Sequence, residues 1–224
     1  MVFPTNTAID TELLVDFDGN PIGGLKSGWF VQLRGRPQSG TTTFCMNLVH
    51  SFSMAVEGRN DPNNYNVLWI DGDCSLYDGV FSSAAGVSVA ALRIGANHHK
   101  TIMDVMLQLG PLADMVIIDK ACSLDAPKTF VNLCASAAHA GVLVLAVEGV
   151  WYSHQHRVEY VGGDDQYREQ ATLAIDINLG TADVAYSKVS QYPKRVRYEY
   201  HPEICKALPP AYQIPSGGGG LPGP

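Results

Sequence analysis

The chain of 224 residues predicts one α/β domain with a mostly parallel central sheet, flanked by helices and extended by an antiparallel edge hairpin. Three observations predict this class. Short runs in which nearly every residue is apolar are typical of strands buried on both faces. Helix-length segments separate these runs, which favours right-handed crossovers between parallel strands. Near the end of the chain, two alternating segments flank a turn sequence, as in a hairpin.

These patterns assign the elements in chain order. Residues 1–27 are predicted as an irregular lead-in and a candidate for docking on a neighbouring subunit, residues 28–205 as the core, and residues 206–224 as a flexible tail rich in Pro and Gly. The predicted strands are residues 29–33, 66–70, 115–118 and 142–147. The predicted helices are residues 41–57, 100–110 and 127–140. The predicted hairpin joins residues 184–189 to 195–200.

Charge and composition exclude several classes of protein. The formal net charge of −7 has the wrong sign for a protein that coats nucleic acid by bulk attraction, so a nucleic-acid role requires a local basic patch. No apolar run approaches the roughly 20 residues that span a bilayer, and no basic segment leads into an apolar one at the N-terminus. We expect a cytoplasmic protein with no membrane partner. The five cysteines form no C-x-x-C pair, which favours reduced thiols.

The sharpest motif follows the first predicted core strand. It has the frame G-x-x-x-x-G-K-[ST] of a phosphate loop, in which backbone N–H groups cradle phosphates, the Lys reaches them and the hydroxyl binds Mg²⁺. Thr41 stands at the Lys position, so the loop keeps the amides and lacks the cation. A turn whose Ser and Thr residues only cap the next helix is the alternative. The residues of the frame are Gly35, Arg36, Pro37, Gln38, Ser39, Gly40, Thr41 and Thr42.

Two predicted strands end in carboxylates. Asp71 and Asp73 follow the run 66–70, and Asp119 follows the run 115–118. The carboxyl ends of parallel strands meet at one edge of the sheet, which is also the edge that carries the loop. An Asp there holds Mg²⁺ in phosphate-transferring proteins, and a second carboxylate polarises the attacking water. A turn-forming role is the alternative for each Asp taken singly.

In their order and spacing these motifs resemble the core of RecA-type recombinases, over roughly residues 20–200. The resemblance implies a RecA-like P-loop fold with ATP and Mg²⁺ as cofactors, and minimal cores of this kind are typical of phages. It implies metal ligation by Thr42 and Asp119 and adenine contacts by Asp78 and Phe81. Asp73 falls at the catalytic glutamate of the family, and Glu148 at the glutamine that senses the γ-phosphate.

Three departures from the RecA pattern fall in this pocket. Thr41 removes a cation, Asp73 shortens the reach to water, and Glu148 adds a negative charge that repels phosphates at short range. Together they predict weak or absent ATP hydrolysis. A lysine supplied by a neighbouring subunit is an alternative that would retain it.

Residues 149–161 take the place of the family's second DNA-binding loop. Aromatic rings there offer stacking surfaces for bases, and cationic side chains offer contacts to phosphates. The residues concerned are Trp151, Tyr152, His154, His156 and Arg157. An exposed segment whose aromatics pack on a neighbouring subunit is the alternative. Five bases between residues 188 and 206 are most simply a solvated hairpin face.

The expectation is a RecA-like protein of DNA recombination, repair or replication. It would bind DNA, single-stranded by preference, as a homo-oligomeric ring or filament. The alternative is a catalytically dead RecA-fold scaffold that binds no nucleotide.

Overall fold

The computed structural model describes residues 1–57, 65–72, 76–77, 79–95, 98–120, 128–153, 158–161, 164–190 and 195–212. The strands are β1 (Val2–Phe3), β2 (Leu25–Lys26), β3 (Phe30–Gly35), β4 (Tyr65–Asp71), β5 (Val87–Arg93), β6 (Met115–Asp119), β7 (Leu143–Ser153), β8 (Val158–Val161), β9 (Leu173–Asn178), β10 (Thr181–Ser187) and β11 (Val196–Arg197). The α-helices are α1 (Thr41–Glu57), α2 (His99–Leu109), α3 (Lys128–His139), α4 (Asp164–Gln170) and α5 (Pro202–Ala207).

The central sheet has the order β11-β10-β9-β3-β7-β6-β4-β5, and β8 pairs with β7 beside it. All pairs from β9 across to β5 are parallel, whereas β9 with β10, β10 with β11 and β7 with β8 are antiparallel. The predicted α/β class, with a mostly parallel sheet and flanking helices, is confirmed. The helix predicted over residues 41–57 has these bounds in the structure.

The edge hairpin is present but pairs differently from the prediction. β10 pairs along its length with β9, and only Val196 and Arg197 pair with its other side. The turn between β9 and β10 consists of Leu179 and Gly180, whose φ angles are 38° and 81°. Two positive φ values in a two-residue turn match the twist of antiparallel strands, so this turn sets the register. The sequence gives little signal for this turn, because Leu is unusual at a positive φ.

Helices cover both faces of the sheet. Alternate strand residues point to opposite faces, so each strand contributes to two cores. On one face, the strands pack against α1, α5 and the first residues of the chain. On the other face, they pack against α2, α3 and α4. This alternation decides which side chains at the carboxyl ends of the strands can meet.

The lead-in is more regular than predicted. β1 pairs with β2, and residues Ile9–Leu13 form a single π-helical turn. The two apolar side chains of this turn, Ile9 and Leu13, are fully buried in the core that contains α1. Long-range packing, which no local pattern reveals, orders the segment. The division of the chain at residue 28 stays a prediction. The buried side chains are those of Phe3, Ile9, Leu13, Leu14 and Leu25.

We expect Leu13→Ala to lower the free energy of unfolding by about 2–5 kcal/mol, the usual cost of truncating a buried leucine. Urea unfolding followed by circular dichroism measures it. Phe17→Ala is the matched control in the same segment, because Phe17 is 64% exposed. We expect that control to stay within about 0.5 kcal/mol of the parent. Equal stability of the two variants would show that the lead-in does not unfold with the core.

Candidate functional site

The loop between β3 and α1 carries the predicted phosphate-loop frame. β3 ends at Gly35 and α1 begins at Thr41, and the Phe44 N–H donates to the Gly40 carbonyl at 2.8 Å. Gln38 and Gly40 have a left-handed backbone, with φ of 66° and 93°. A strand, a tight loop and a helix N-terminus therefore follow one another, which is the arrangement that directs backbone amides at an anion.

Side chains of the loop fill the space above Gly35. A Cβ at this position would lie 2.1 Å from the Ser39 hydroxyl and 2.6 Å from the Thr41 methyl group. Ser39 is 4% exposed, and its hydroxyl has no hydrogen-bond partner among the described residues. Thr41, which stands at the lysine position of the phosphate-loop frame, thus places a methyl group close to the start of the loop. Three other loop residues are exposed, namely Arg36, Pro37 and Gln38.

Two buried carboxylates lie side by side below α1. Asp71 ends β4 and Asp119 ends β6, and the two residues are direct neighbours in the parallel register. Both fall on the α1 face by strand alternation, and they are 1% and 2% exposed. The Thr42 side chain, in the first turn of α1, interacts with the Asp119 carboxyl and lowers its pKa. The structure therefore brings together Thr42 and Asp119, the two predicted metal ligands, with Asp71, which is also expected at this edge of the sheet, beside them.

Backbone groups hold the two carboxylates in place. The Gly72 N–H donates to the Asp119 carbonyl at 2.9 Å, and a Cβ at Gly72 would lie 2.6 Å from that oxygen. Glycine is therefore required for the strand ends to approach this closely. On the other side, the Leu76 N–H donates to Asp71 Oδ2 at 2.8 Å.

Burial controls the protonation of Asp119. Loss of solvent raises the pKa of its carboxyl to about 7, and the charge of Asp71 adds to the rise, while the Thr42 hydrogen bond opposes it. Two adjacent carboxylates in a poorly solvated place repel each other, so one of them retains its proton more readily. A bound cation would remove that repulsion.

The donor set fits a Mg²⁺ ion. Carboxylate and hydroxyl oxygens are the ligands that Mg²⁺ takes, usually completed by water and phosphate oxygens. Asp119 Oδ1 is a buried acceptor with no hydrogen-bond partner in the described part of the chain. Those same residues contain no group of three or more His, Cys, Asp or Glu side chains that could hold a metal. Thr42 and Asp119 would therefore hold the ion only together with water or phosphate.

Glu148 does not join this cluster. It follows Val144 and Ala146 on β7, whose side chains belong to the core of the opposite face. There Glu148 is 1% exposed, accepts a hydrogen bond from the Tyr167 hydroxyl of α4, and is the register neighbour of Arg34. Burial raises the pKa of Glu148 to about 8, so the carboxyl is mostly protonated at neutral pH.

Glu148 also begins a row of ionisable residues across the sheet. Its neighbour Arg34 pairs with Asp176 at 2.7 Å, Asp176 lies opposite Asp183, and Asp183 pairs with Arg195 at 2.8 Å. Like charges directly opposite each other on antiparallel strands are unfavourable. The two arginines offset the repulsion between Asp176 and Asp183.

The predicted adenine contact lies beside an open groove. Phe81 packs against Trp69 and His50, with ring centroids 5.3 and 5.9 Å apart respectively. The groove has a volume of about 550 Å³, and its lining includes Phe81, Asp71 and Arg93. That volume is in the range of small-molecule sites. Asp73 and Asp78 lie outside the described residues.

The predicted DNA-binding segment forms a β-hairpin. The backbone of Trp151 pairs with that of Tyr160, and Tyr152 pairs with Glu159, so β7 runs well past the predicted end at residue 147. His154, His156 and Arg157 lie outside the described residues. A ladder between β7 and β8 therefore replaces the expected irregular segment at Trp151 and Tyr152.

The basic cluster near the end of the chain is largely engaged. Arg195 pairs with Asp183, and Lys206 pairs with Glu203 at 2.7 Å. The Lys188 ammonium donates to the Glu169 carbonyl at 2.8 Å. These contacts agree with a solvated hairpin face.

Asp71 was expected at this edge of the sheet, but its face was not assigned, and Tyr212 had no sequence signal. Asp71 has the same parity as Trp69 along β4, so counting along the strand would have placed it beside Asp119. Tyr212 lies far away in sequence, and its pKa is raised first by burial and then by the charges of Asp71 and Asp119. No local pattern predicts such a contact.

Comparison of the chain with protein-family models and with curated proteins gives no match. Among the described residues, no helix is long and apolar enough to cross a membrane.

We expect Glu148→Gln to flatten the dependence of stability on pH. Between the ordinary pKa of 4.5 and the folded pKa of about 8, the folded chain holds a proton that the unfolded chain has lost. The stabilisation is therefore complete below pH 4.5 and is lost as the pH rises towards 8. Glutamine has no proton to lose and still accepts from Tyr167.

Urea unfolding at a series of pH values between 5 and 8.5 measures this slope. Glu57→Gln is the control, because Glu57 is an exposed residue at the end of α1. A parent and a Glu148→Gln variant with parallel pH profiles would contradict the burial of a protonated carboxyl.

Proposed function

We propose that the chain is a RecA-like nucleotide-binding protein that acts on DNA in recombination, repair or replication as a homo-oligomer. The observation that carries the proposal is the order of strand, glycine loop and helix, combined with the two buried carboxylates, Asp71 and Asp119, that lie side by side at neighbouring strand ends. The interaction of Thr42 with Asp119 connects the first turn of the helix to these strand ends. The same parts hold a phosphate chain and its Mg²⁺ in P-loop proteins.

Each residue has a defined part in this proposal. Backbone N–H groups within residues 36–41, other than Pro37, which has none, would bind phosphates, while Thr42 and Asp119 would hold Mg²⁺ and Asp71 would add negative charge beside it. Phe81 lines the groove in which a nucleobase would lie. Mg²⁺, when bound, neutralises phosphate charge, and the protein's own groups only position the phosphate chain.

Weak or absent hydrolysis fits the same residues. Thr41 has a methyl group where the family has a cation. Less positive charge is therefore available to stabilise the negative charge that develops on the phosphates in the transition state. Glu148 packs on the opposite face of the sheet, where it cannot sense a phosphate bound at Thr42 without rearrangement. The role of Asp73 in positioning water stays a prediction.

DNA binding would be weak in a single subunit. The net charge is −7, and three of the late bases already contact protein oxygens. Assembly multiplies weak contacts, because each bound subunit raises the effective concentration of the next one. The β7–β8 hairpin is the proposed DNA contact.

A nucleotide-free scaffold is the second candidate. It is favoured by the burial of Asp71 and Asp119, which are 1% and 2% exposed, and by the raised pKa of Asp119. On this alternative, the Thr42 hydrogen bond only fastens α1 to the sheet.

We expect millimolar Mg-ATP to raise the melting temperature of the parent protein. A ligand at 100 times its Kd adds about 2.7 kcal/mol to the free energy of unfolding. Asp119→Asn removes a metal ligand and should abolish most of the shift. Asp104→Asn is the control, because Asp104 is exposed on α2, on the opposite face. The absence of a shift in the parent at every nucleotide concentration would favour the scaffold.

We expect Thr41→Lys to bind Mg-ATP about 10-fold or more tightly, because it returns a cation to the phosphates. Titration calorimetry measures the affinity, and phosphate release measures any hydrolysis gained. Thr41→Met is the control, since it adds length without charge. Equal affinities of the Lys and Met variants would show that the loop does not meet the triphosphate.

We expect Trp151→Ala and Arg157→Ala each to weaken single-stranded DNA binding, by about 1–3 kcal/mol for a stacked base. Fluorescence anisotropy measures binding at fixed salt, and light scattering with and without ATP and DNA follows assembly. Leu112→Ala is the control, because Leu112 is 68% exposed after α2. Unchanged affinity in both variants would remove the hairpin as the DNA contact.

A further inference from the structure

A cationic residue ends the strand beside the two buried carboxylates. Arg93 ends β5, and in the parallel register it is the direct neighbour of Asp71, which is in turn the neighbour of Asp119. Neighbouring strands lie about 4.8 Å apart, so the Arg93 backbone is about one strand spacing from Asp71 and about two from Asp119. Alternation along β5 places Arg93 on the α1 face, together with Val87 and Val89, which pack against the core of that face. The three ionisable residues therefore follow one another along one edge of the sheet and on one face.

The backbone of Leu76 connects Arg93 to the carboxylate site. The Leu76 N–H donates to Asp71 Oδ2 at 2.8 Å, and the Leu76 carbonyl accepts a hydrogen bond from Arg93 Nη2. One residue thus binds both the carboxylate and the guanidinium, which orients the Arg93 side chain toward the Asp71 side of the groove. A guanidinium carries five N–H donors, so it can bind a carbonyl and a phosphate at the same time.

Arg93 is accessible to a ligand. Its side chain is exposed, and it lines the groove of about 550 Å³ together with Asp71 and Phe81. Among the lining residues that the structure describes, Arg93 is the cationic one. A phosphate in this groove that approaches the carboxylates therefore meets positive charge from Arg93.

The candidate site lacks positive charge elsewhere in its frame. Thr41 stands where a phosphate loop has lysine, and Asp71 and Asp119 place two carboxylates at the neighbouring strand ends. Negative charges close together repel each other, so a phosphate chain there requires a compensating cation besides the metal ion. Arginine suits this part, because its guanidinium is always charged and its planar donors match the oxygens of a phosphate.

We propose that Arg93 supplies the positive charge that the loop lacks because Thr41 stands at its lysine position, and that Arg93 contacts the terminal phosphate of a bound nucleoside triphosphate. This inference rests on the proposed function, because it names a further residue of the same site. The charge comes from the same chain, so no lysine from a neighbouring subunit is needed. Arg93 is accordingly a residue that distinguishes a triphosphate from a diphosphate.

Titration calorimetry with Mg-ATP and Mg-ADP tests the contact. Arg93→Met keeps much of the length of the side chain and loses the charge. We expect it to weaken Mg-ATP binding about 10- to 100-fold, the range for a hydrogen bond to a charged group, and Mg-ADP binding less than about 3-fold. Arg93→Lys keeps the charge, so it should bind Mg-ATP more tightly than Arg93→Met does. Lys100→Ala is the control for loss of a positive charge, because Lys100 is exposed on α2, on the opposite face.

The Thr41→Lys background gives a second measurement. The introduced lysine already serves the phosphates there, so Arg93→Met should cost less Mg-ATP affinity in that background than in the parent. Non-additivity of this kind is the mark of two groups that serve one interaction. A merely structural role of Arg93 in holding Leu76 would cost the same in both backgrounds and for both nucleotides.

The outcomes separate the two proposals. A loss largely confined to Mg-ATP, and smaller in the Thr41→Lys background, supports Arg93 as the phosphate contact. Four results each overturn that contact and leave nucleotide binding standing: unchanged binding in Arg93→Met, equal losses for the two nucleotides, equal losses in the two backgrounds, or an Arg93→Lys variant that binds no more tightly than Arg93→Met. If neither the parent nor Thr41→Lys binds Mg-ATP or Mg-ADP, the proposed function fails, and the Arg93 proposal fails with it.

Discussion

The parallel register between β4 and β6 is the constraint on which the rest of the site depends. It sets Asp71 directly beside Asp119, and Thr42, in the first turn of α1, interacts with the Asp119 carboxyl. The loop before α1 and the groove beside Asp71 take their positions from this arrangement. Gly72 makes it possible, because any side chain there would collide with the Asp119 carbonyl.

The sheet separates two kinds of electrostatic environment. On the α1 face, two carboxylates share a buried place with a hydroxyl, which suits a cation. On the opposite face, Glu148, Arg34 and Asp176 are neighbours in adjacent strands, and the charges largely balance within the protein. The α1 face therefore brings two carboxylates together, whereas on the opposite face Arg34 pairs with Asp176.

Patterns of neighbouring residues predicted those elements that depend mainly on interactions between residues close in sequence. α1 was predicted with its full bounds because a glycine loop precedes an unbroken helical segment. β5 was missed because Val87–Arg93 is a half-exposed edge strand without a continuous apolar run. The faces of Asp71 and Glu148 follow from strand parity, which the motif spacing alone did not use. The order of residues 1–27 and the approach of Tyr212 come from contacts distant in sequence, and no pattern of neighbouring residues contains them.

The buried Glu148 carboxyl, which accepts a hydrogen bond from Tyr167, makes the charge of the folded chain differ from the formal value. The formal charge of −7 counts Glu148 as ionised, whereas the folded chain holds it mostly protonated at neutral pH. Once the chain unfolds, that carboxyl meets water and recovers its ordinary acidity. Unfolding at neutral pH is thus an acid-releasing reaction at this residue, and the heat it absorbs depends on the buffer that takes up the proton.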